Sequence, residues 1–386
     1  DINRTELPPL GLLYVASALQ KGRHKVQVIG IDENTEHLPD SDVDGLAITA
    51  STTYPKFKEL ARKVLSNRST IKVAGNTHSH VFPKETLVDL NLDAVVRGEA
   101  EDVFPEFLSR ISSSDTISQA VQGLKGFTYI GNNGEIISDS TVNKIRDINS
   151  LRFPARKLMP DDSILLEDRL RGTDKLVTTV VTSRGCPYSC NYCGNLNNGS
   201  VRYRSGESFR SEVLELLEEY PQLGGLLVMD ETFTLNRRHV LEITTAIKDI
   251  GIQYVISSRA DRMTSEVVEA LRNSGCVEVK FGVESGSQYL LDKMNKRANI
   301  HKFKEGIKTA AKSGLYAKLF LMHGFPGENE ATTTETISML EELQPYVRRV
   351  ALYRFVPLPG SPVFSRPTDF MLHIGSDPSR FHIYHN

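Results

Sequence analysis

The repeated alternation of short apolar strand patterns with amphipathic helical patterns is the feature that most constrains the fold of this chain. In the first hundred residues, a helical pattern at 8–22 is followed by strand patterns at 25–32, 44–51, 71–76 and 92–100, with helical segments between the later strands. Alternation at this spacing predicts a parallel, doubly wound α/β sheet. A unit of this kind ordinarily opens on a strand, so we expect a first strand to precede residue 1.

The alternation resumes at residue 176 and continues to about residue 360. Six strand patterns are separated there by helical patterns such as SEVLELLEEY and KFKEGIKTAAKSG. Six such units predict a partial, TIM-like (β/α)6 barrel, with its chemistry at the carboxyl ends of the strands. The expected strands are 176–183, 224–231, 253–260, 277–285, 316–325 and 349–357.

The segment between the two alternating regions is less periodic. The turn sequences SSSD, GNNG and DDS surround the apolar runs GFTYI and EIISDS, which predict a small hairpin. We therefore expect an N-terminal sheet domain at 1–110, a connector at 111–175, a barrel at 176–365 and a C-terminal tail at 366–386.

The composition argues against nucleic-acid binding, membrane insertion and secretion. Lys and Arg number 46 against 48 Asp and Glu, so the net charge of −2 provides no basic field for nucleic acid. The apolar runs are strand-sized, far short of the roughly 20 residues that span a bilayer, and DINRTELPPL lacks the apolar core of a signal peptide. Four cysteines, three of them clustered, are not the pattern of a secreted disulfide framework. We expect a cytoplasmic, mostly reduced protein.

Three of the four cysteines, Cys186, Cys190 and Cys193, lie within eight positions after the first barrel strand. A zinc site normally takes four ligands, and the sequence has no second CxxC or HxxxH element. Cys276 enters a strand pattern and is expected to be a buried apolar residue. A 4Fe–4S cluster usually takes four cysteines, so three would leave one iron open to a substrate or cofactor. The spacing favours an iron–sulfur cluster, with zinc and a structural or disulfide role as alternatives.

The C-x3-C-x2-C loop, with an aromatic residue before its last cysteine, resembles that of the radical S-adenosylmethionine (SAM) enzymes, and so does its place on a six-unit barrel. The resemblance implies that Cys186, Cys190 and Cys193 hold a 4Fe–4S cluster, whose open iron is chelated by the amino and carboxylate groups of SAM. It also implies that Tyr192 lies against the adenine. One-electron reduction would then cleave SAM to methionine and a 5′-deoxyadenosyl radical that abstracts hydrogen from a substrate, while the protein positions the reactants and excludes water.

Polar residues at the ends of the next three strands match the same family. MDETFT places Asp230 and Glu231 after the second strand, as candidates near SAM. SSRADRM places Arg259 after the third strand, where an arginine would contact a carboxylate. FGVESGS places Glu284 and Ser285 after the fourth strand, where a carboxylate would hold the ammonium group or the ribose hydroxyls of SAM. A single polar residue at a strand end more often faces solvent or caps a neighbouring element. The evidence for SAM binding is that these residues follow consecutive strands.

The N-terminal sequences PPLGLLYVASAL, GNTHSH and VVRGEAE resemble the cobalamin-binding domain of cobalamin-dependent radical enzymes. Ligands of doubly wound sheets bind beyond the carboxyl ends of the strands. The chain lacks the Asp-x-His-x-x-Gly loop that places a histidine under the cobalt, and the segment around His37 does not supply one. We therefore expect cobalamin without a histidine lower ligand, and we expect His78 and His80 to form a surface pair. The expected cobalamin-binding residues are Thr49, Ser51, Thr52, Gly75, Asn76, Thr77, Gly98 and Glu99.

The two resemblances together predict a cobalamin-dependent radical SAM enzyme, with methylation of an unactivated carbon or phosphorus as the leading reaction. A radical cyclase or rearrangement catalyst is one alternative, and a corrinoid-binding sensor or scaffold with a structural metal is another. An RNA methylthiotransferase would bring further N-terminal cysteines, and residues 1–175 contain none. The expected partners are a small-molecule or peptide substrate and an electron donor such as flavodoxin or ferredoxin.

Overall fold

The computed structural model describes residues 7–48, 51, 53–167, 174–194 and 199–375. These residues form two helix-covered sheets and a two-stranded ribbon, and no helix among them is long and apolar enough to cross a membrane. The strands are β1 (Val43–Ala47), β2 (Ile71–Gly75), β3 (Ala94–Val96), β4 (Phe127–Ile130), β5 (Ile136–Ser138), β6 (Leu166–Glu167), β7 (Leu176–Val180), β8 (Ser183–Arg184), β9 (Arg202–Tyr203), β10 (Leu223–Val228), β11 (Gln253–Ser258), β12 (Cys276–Glu284), β13 (Tyr316–His323) and β14 (Arg349–Arg354). The helices are α1 (Leu10–Lys21), α2 (Tyr54–Leu65), α3 (Thr77–Val81), α4 (Pro83–Asp89), α5 (Val103–Ile111), α6 (Ile117–Ala120), α7 (Asp161–Ile164), α8 (Gly206–Glu219), α9 (Arg237–Ile247), α10 (Ser265–Asn273), α11 (Gln288–Lys293), α12 (Ile300–Lys312), α13 (Glu330–Leu343) and α14 (Pro362–Ser365).

The N-terminal sheet is doubly wound, as predicted. Strands β1, β2 and β3 run parallel, with Val43 opposite Ile71 and Val73 opposite Ala94. Successive residues of a strand face opposite sides of a sheet. Val73 accordingly packs in a cluster with residues of α1 and α5, whereas Ala74 packs in a second cluster with residues of α2 and α4. Both faces of the sheet are therefore covered, and the carboxyl ends of its parallel strands meet at one edge.

Residues 25–32 do not form the strand that their alternating pattern predicts. Val26, Val28 and Ile31 are partly buried, but each packs against a different core cluster. A paired strand would present these side chains to one sheet and gain ladder hydrogen bonds. The segment instead runs across three apolar surfaces, and the alternation in its sequence reflects burial without strand pairing.

The hairpin predicted in the connector is present as β4 and β5. Strand β4 pairs antiparallel with β3, with Val96 opposite Phe127, and β5 pairs antiparallel with β4. The N-terminal sheet therefore continues past residue 110 into the segment that the sequence marks as a connector. Farther along the connector, β6 pairs antiparallel with β7 and forms one edge of the second sheet.

All six predicted barrel strands are present, as β7 and β10 to β14. The sheet order is β14-β13-β12-β11-β10-β7-β6, and the neighbouring pairs from β7 to β14 are parallel. Helices α8, α9, α10 and α12 contribute Phe209, Val240, Val268 and Phe303 to the core, each at most 1% exposed. This open parallel sheet is the partial barrel expected from the sequence, and it brings the carboxyl ends of six strands to one rim.

Candidate active site

The three clustered cysteines lie on a loop at the carboxyl rim of the barrel, shortly after β7. Strands β8 and β9 pair antiparallel, with Arg184 opposite Arg202, so this ribbon closes the base of the loop. Among the described residues, none of Cys186, Cys190 and Cys193 forms a disulfide, and Cys190 is buried while the other two are partly exposed.

The turn that follows α11 fixes the conformation of the cysteine loop. The backbone amide of Asn191 donates to the carbonyl of Met294 at 2.8 Å, and its side-chain amide donates to the carbonyl of Lys293 at 2.8 Å. The side chain of Asn295 donates in turn to the carbonyl of Ser189 at 2.8 Å. The position of the cysteines therefore depends on a segment more than 100 residues further along the chain.

Asp230 lies at the end of β10, where the sequence places it, but it is buried beneath the rim. Its carboxylate accepts hydrogen bonds from the amide and hydroxyl of Thr182, at 2.7 and 2.6 Å, and from the hydroxyl of Ser183 at 2.6 Å. Thr182 Oγ1 also lies 2.9 Å from Nε2 of His239. Burial raises the pKa of Asp230, and these hydrogen bonds oppose the rise. Asp230 therefore anchors the turn that leads into the cysteines.

Glu231 and Ser285 each follow a barrel strand, but they differ in exposure. Glu231 is exposed, and its Oε2 accepts from the amide of Gly185 at 3.2 Å. Ser285 is 1% exposed, accepts from the amide of Ser287 at 3.1 Å and lies 3.2 Å from the hydroxyl of Thr336. Of this pair, Glu231 contacts the cysteine loop and Ser285 packs toward α13.

The guanidinium of Arg259 is engaged within the protein. Arg259 is 4% exposed, pairs with Asp261 at 2.9 Å, and donates to the carbonyls of Lys296 and Arg297 at 2.8 and 2.9 Å. It also lies 4.1 Å from the ring centroid of Tyr188. A ligand carboxylate would have to displace these bonds. The contacts of Arg259 instead hold together the segments that form the wall of the site.

Lys296, which the sequence analysis does not single out, joins two predicted site residues beside the cysteine loop. Its ammonium group donates to Oε1 of Glu284 and to the hydroxyl of Tyr192, both at 2.8 Å. The hydroxyl of Tyr192 donates to the same carboxylate oxygen at 3.1 Å. Glu284 has a φ of +70°, in the left-handed region that non-glycine residues rarely adopt. Strain of this kind persists where the surroundings enforce it, and here it accompanies a carboxylate held against Tyr192 and Lys296.

The donor set around the loop suits a cluster better than a single metal ion. Burial raises the pKa of the Cys190 thiol, and the positive charge of Lys296, a hydrogen bond with Tyr192 and the charge of Arg259 act to lower it. In the described ranges, no three His, Cys, Asp or Glu side chains converge closely enough to hold one metal ion. A zinc ion draws sulfur ligands to about 2.3 Å, whereas a 4Fe–4S cluster binds cysteines through different irons. Three cysteines on one loop, with the charges of Lys296 and Arg259 close to Cys190, fit the cluster.

A second polar edge lies beyond the carboxyl end of β2, in the turn formed by Gly75, Asn76 and Thr77. Asn76 has a φ of +78°, and its Oδ1 accepts from the amide and hydroxyl of Thr77 at 2.8 and 3.1 Å. Ser51 is linked to this turn because its hydroxyl lies 3.0 Å from Nδ1 of His78. Four of the residues expected to bind cobalamin are thus neighbours on one edge. Two others lie outside the described ranges, Thr49 and Thr52.

Gly98 and Glu99, at the carboxyl end of β3, have their contacts within the protein. Gly98 has a φ of +90°, and a Cβ there would lie 2.4 Å from the carbonyl oxygen of Asn143. The carboxylate of Glu99 accepts from Arg202 at 2.5 Å and from the amide of Ile145 at 2.6 Å. Close backbone approach and ion pairing are the contacts that the structure shows for these two residues, and their contact with cobalamin stays a prediction.

His78 is buried, so the expectation of a surface histidine pair is wrong. It is 1% exposed, and its ring stacks on Tyr54 with a centroid distance of 3.7 Å and lies 5.3 Å from Phe82. Helix α3 begins immediately after Asn76, and its first turn directs His78 inward. Burial lowers the pKa values of His78 and the partly buried His80 to about 4. Both rings are therefore neutral at neutral pH.

Sequence reasoning missed several residues that the structure brings to the cysteine loop or beneath it. The sequence SRGC offered a signal for one of them, because an arginine directly precedes the loop. The others carry no periodic or spacing signal, and their partners lie far away in the sequence. The missed residues are Arg184, Arg202, His239 and Lys296.

A doubly wound N-terminal domain, an open parallel barrel and a three-cysteine loop on its rim define the architecture of a radical SAM enzyme with an appended cofactor-binding domain. The sequence matches the Radical SAM superfamily over residues 180–340 and the B12 binding domain over residues 4–108. It is 30% identical over 352 residues to the "Uncharacterized methyltransferase PH0819" of Pyrococcus horikoshii, covering 87% of this chain and 73% of that protein. The chain belongs to the radical SAM superfamily and carries a B12-binding domain.

Two further proteins are similar over most of the chain. The anaerobic magnesium-protoporphyrin IX monomethyl ester cyclase of Cereibacter sphaeroides is 24% identical over 382 residues, covering 94% of this chain and 60% of that protein. The radical SAM methyltransferase TsrM of Kitasatospora setae, solved with cobalamin and a [4Fe-4S] cluster bound, superposes with a TM-score of 0.74 at 14% identity. That match covers 94% of this chain and 72% of TsrM, and it shows a common fold.

Proposed function

We propose that this protein is a cobalamin-dependent radical SAM methyltransferase that acts on an unactivated carbon or phosphorus centre. The observation that carries the proposal is the presence, in one chain, of a three-cysteine loop on a barrel rim and of the polar strand ends of a B12-binding domain. The Pyrococcus relative and the Kitasatospora structure are both named methyltransferases, which favours methyl transfer.

In this proposal, some barrel residues bind the cluster or SAM, and others hold the walls of the site in place. When bound, the cluster and SAM supply a radical, and cobalamin supplies a carrier for the methyl group. Tyr192, Glu231 and Glu284 would contact SAM, because they border the cysteine loop. Asp230 and Arg259 would hold the walls, since their polar groups are engaged within the protein. The cluster ligands would be Cys186, Cys190 and Cys193.

The N-terminal edge formed by Ser51, Gly75, Asn76 and Thr77 is where we propose that cobalamin binds. Gly75 is small, Asn76 is exposed and Thr77 is partly exposed, which permits close approach of a large polar ligand. A histidine would not bind the cobalt, because the ring of His78 is packed between aromatic side chains and the segment around His37 lacks the loop pattern. We therefore propose a lower face without a histidine ligand.

A radical cyclase is the second candidate, because the anaerobic cyclase relative aligns along 94% of this chain. Both reactions would use the same cofactors and would differ in the product. A corrinoid-binding sensor with a structural metal is less consistent with the site. Structural zinc normally closes its coordination with a fourth ligand, and the described ranges contain no group of three donors that converge on one ion.

The partners that we propose are a small-molecule or peptide substrate and a one-electron donor such as flavodoxin or ferredoxin. The rim presents exposed Met229, so it offers an apolar contact to a substrate. An electron donor is required because reductive cleavage of SAM consumes one electron.

The test is anaerobic reconstitution with iron, sulfide and hydroxocobalamin, followed by incubation with reductant, SAM and candidate substrates under mass spectrometry. We expect about four irons per chain, 5′-deoxyadenosine, and products that gain one methyl group. Products that lose hydrogen without gaining a methyl group would favour the cyclase. One tightly bound zinc and no 5′-deoxyadenosine would defeat both enzyme proposals.

A further inference from the structure

Two acidic residues of the N-terminal domain meet two arginines at the base of the cysteine loop. Glu99 pairs with Arg202 at 2.5 Å and lies 3.4 Å from Arg184, while Glu101 pairs with Arg184 at 2.7 Å. The four side chains are between 4% and 14% exposed. We call Glu99, Glu101, Arg184 and Arg202 the interdomain ion network.

The two arginines need these carboxylates because of their positions in the ribbon. Arg184 of β8 and Arg202 of β9 are directly opposite each other across the two strands. Like charges in that position repel and destabilise strand pairing. A buried guanidinium without a partner is also costly. The N-terminal domain therefore supplies the negative charge that allows the ribbon to close.

The strand end that carries the two carboxylates is itself rigid. The amide of Glu99 donates to the carbonyl of Asn143 at 3.0 Å, and the side chain of Asn143 donates back to the carbonyl of Glu99 at 2.7 Å. Burial would raise the pKa of Glu99, but the hydrogen bond from Arg202 and the charge of Arg184 hold it below its usual value. The guanidinium of Arg184 also stacks over Tyr14 of α1, 4.7 Å from the ring centroid.

We propose that Glu99 is a positioning residue through which the N-terminal domain holds the base of the cysteine loop closed. The partners are 83 and 103 residues apart in the pairs Glu101–Arg184 and Glu99–Arg202, so the contact joins the two cofactor-binding halves of the chain. The role does not depend on which reaction the enzyme catalyses.

The test is hydrogen exchange, measured by mass spectrometry, on the full chain without cofactors. We expect Glu99→Gln to increase exchange at least tenfold in peptides that contain the ribbon and the adjacent loop, while peptides from β12 keep wild-type rates. Glu106→Gln is the matched control, because Glu106 forms an exposed ion pair with Arg110 in the same domain. It should leave the loop unchanged.

The double variant Glu99→Gln with Arg202→Gln separates positioning from a general loss of stability. Removing the second arginine charge leaves the Arg184–Glu101 pair balanced, so the double variant should recover most of the protection that Glu99→Gln loses. After cluster reconstitution, the electron paramagnetic resonance spectrum should change in the single variant and return toward wild type in the double variant. Wild-type exchange in Glu99→Gln, or faster exchange in the double variant than in the single variant, would overturn the proposal.

Discussion

The ammonium nitrogen of Lys296 lies 2.8 Å from Oε1 of Glu284, and both side chains are almost fully buried beside the cysteine loop. The pair holds Tyr192 through its hydroxyl. It thereby links the end of β12 to the segment between the second and third cysteines. Each charge of this buried pair neutralises the other. Loss of either side chain would therefore leave an unpaired charge beside the cysteine loop.

Replacing Lys296 by methionine should destabilise the protein by about 3 kcal/mol, since removing one member of a buried ion pair leaves the other charge uncompensated. Methionine keeps the apolar stem and removes the ammonium group. Urea unfolding measures the change. Arg237→Ala is the control, because Arg237 forms an exposed ion pair with Glu266, and it should change stability little. A Lys296→Met variant as stable as wild type would show that Glu284 does not need its partner.

Cys190→Ala should abolish the brown absorbance of the reconstituted cluster and the cleavage of SAM. The change removes one of three ligands, and the described part of the loop offers no fourth thiol to replace it. Iron content and the visible spectrum measure the result. Cys276→Ala is the matched control, because Cys276 is buried in β12 and burial raises the pKa of its thiol well above its usual value. Loss of the cluster in the control and not in Cys190→Ala would reverse the assignment.

Acid should destabilise the protein partly through His78. Its pKa is lowered by burial to about 4 in the folded protein, against about 6.5 in an unfolded chain. The unfolded state therefore binds a proton first, so stability is full above pH 6.5 and falls as the pH drops toward 4. We expect His78 to account for roughly 1 to 3 kcal/mol of that loss.

The comparison that isolates this effect is urea unfolding of wild type and His78→Gln at pH 7.5 and about pH 4.5. The glutamine variant should lose less stability than wild type between the two values. His301→Gln, at an exposed position of α12, should behave like wild type. His80 and His239 have pKa values lowered by burial to about 4 as well, so the acid sensitivity should decrease in His78→Gln without disappearing. Equal losses in all three proteins would contradict the prediction.

Gly98→Ala should destabilise the protein by about 1 to 3 kcal/mol, the usual cost of an enforced backbone conformation. The φ of +90° disfavours any side chain, and the new Cβ would lie 2.4 Å from the carbonyl oxygen of Asn143. Gly11→Ala is the comparison variant, because Gly11 is exposed in α1 and no atom lies within 4 Å of the position that a Cβ would take. It should stabilise the protein by about 0.5 to 1 kcal/mol. Thermal unfolding of the two variants should therefore shift in opposite directions.

Local sequence patterns predicted most of the architecture. Apolar periodicity marked all six parallel barrel strands and the three parallel strands of the N-terminal sheet, because a strand or helix must bury one face whatever lies next to it. The same rule failed at residues 25–32, whose apolar residues are buried by three separate clusters. Periodicity reports which side chains are buried and does not report which strand pairs with which.

The sequence by itself determined the class of this protein, since three cysteines in eight positions and polar residues after consecutive strands are local features. Only the tertiary structure decided which polar residues remain available to a ligand. Arg259 is engaged by Asp261 and two backbone carbonyls, and Glu99 is engaged by Arg202, a partner 103 residues away. Which residues pair across such a sequence separation depends on how the two domains pack. A charged side chain forms an ion pair only with an opposite charge that the fold brings within about 3 Å.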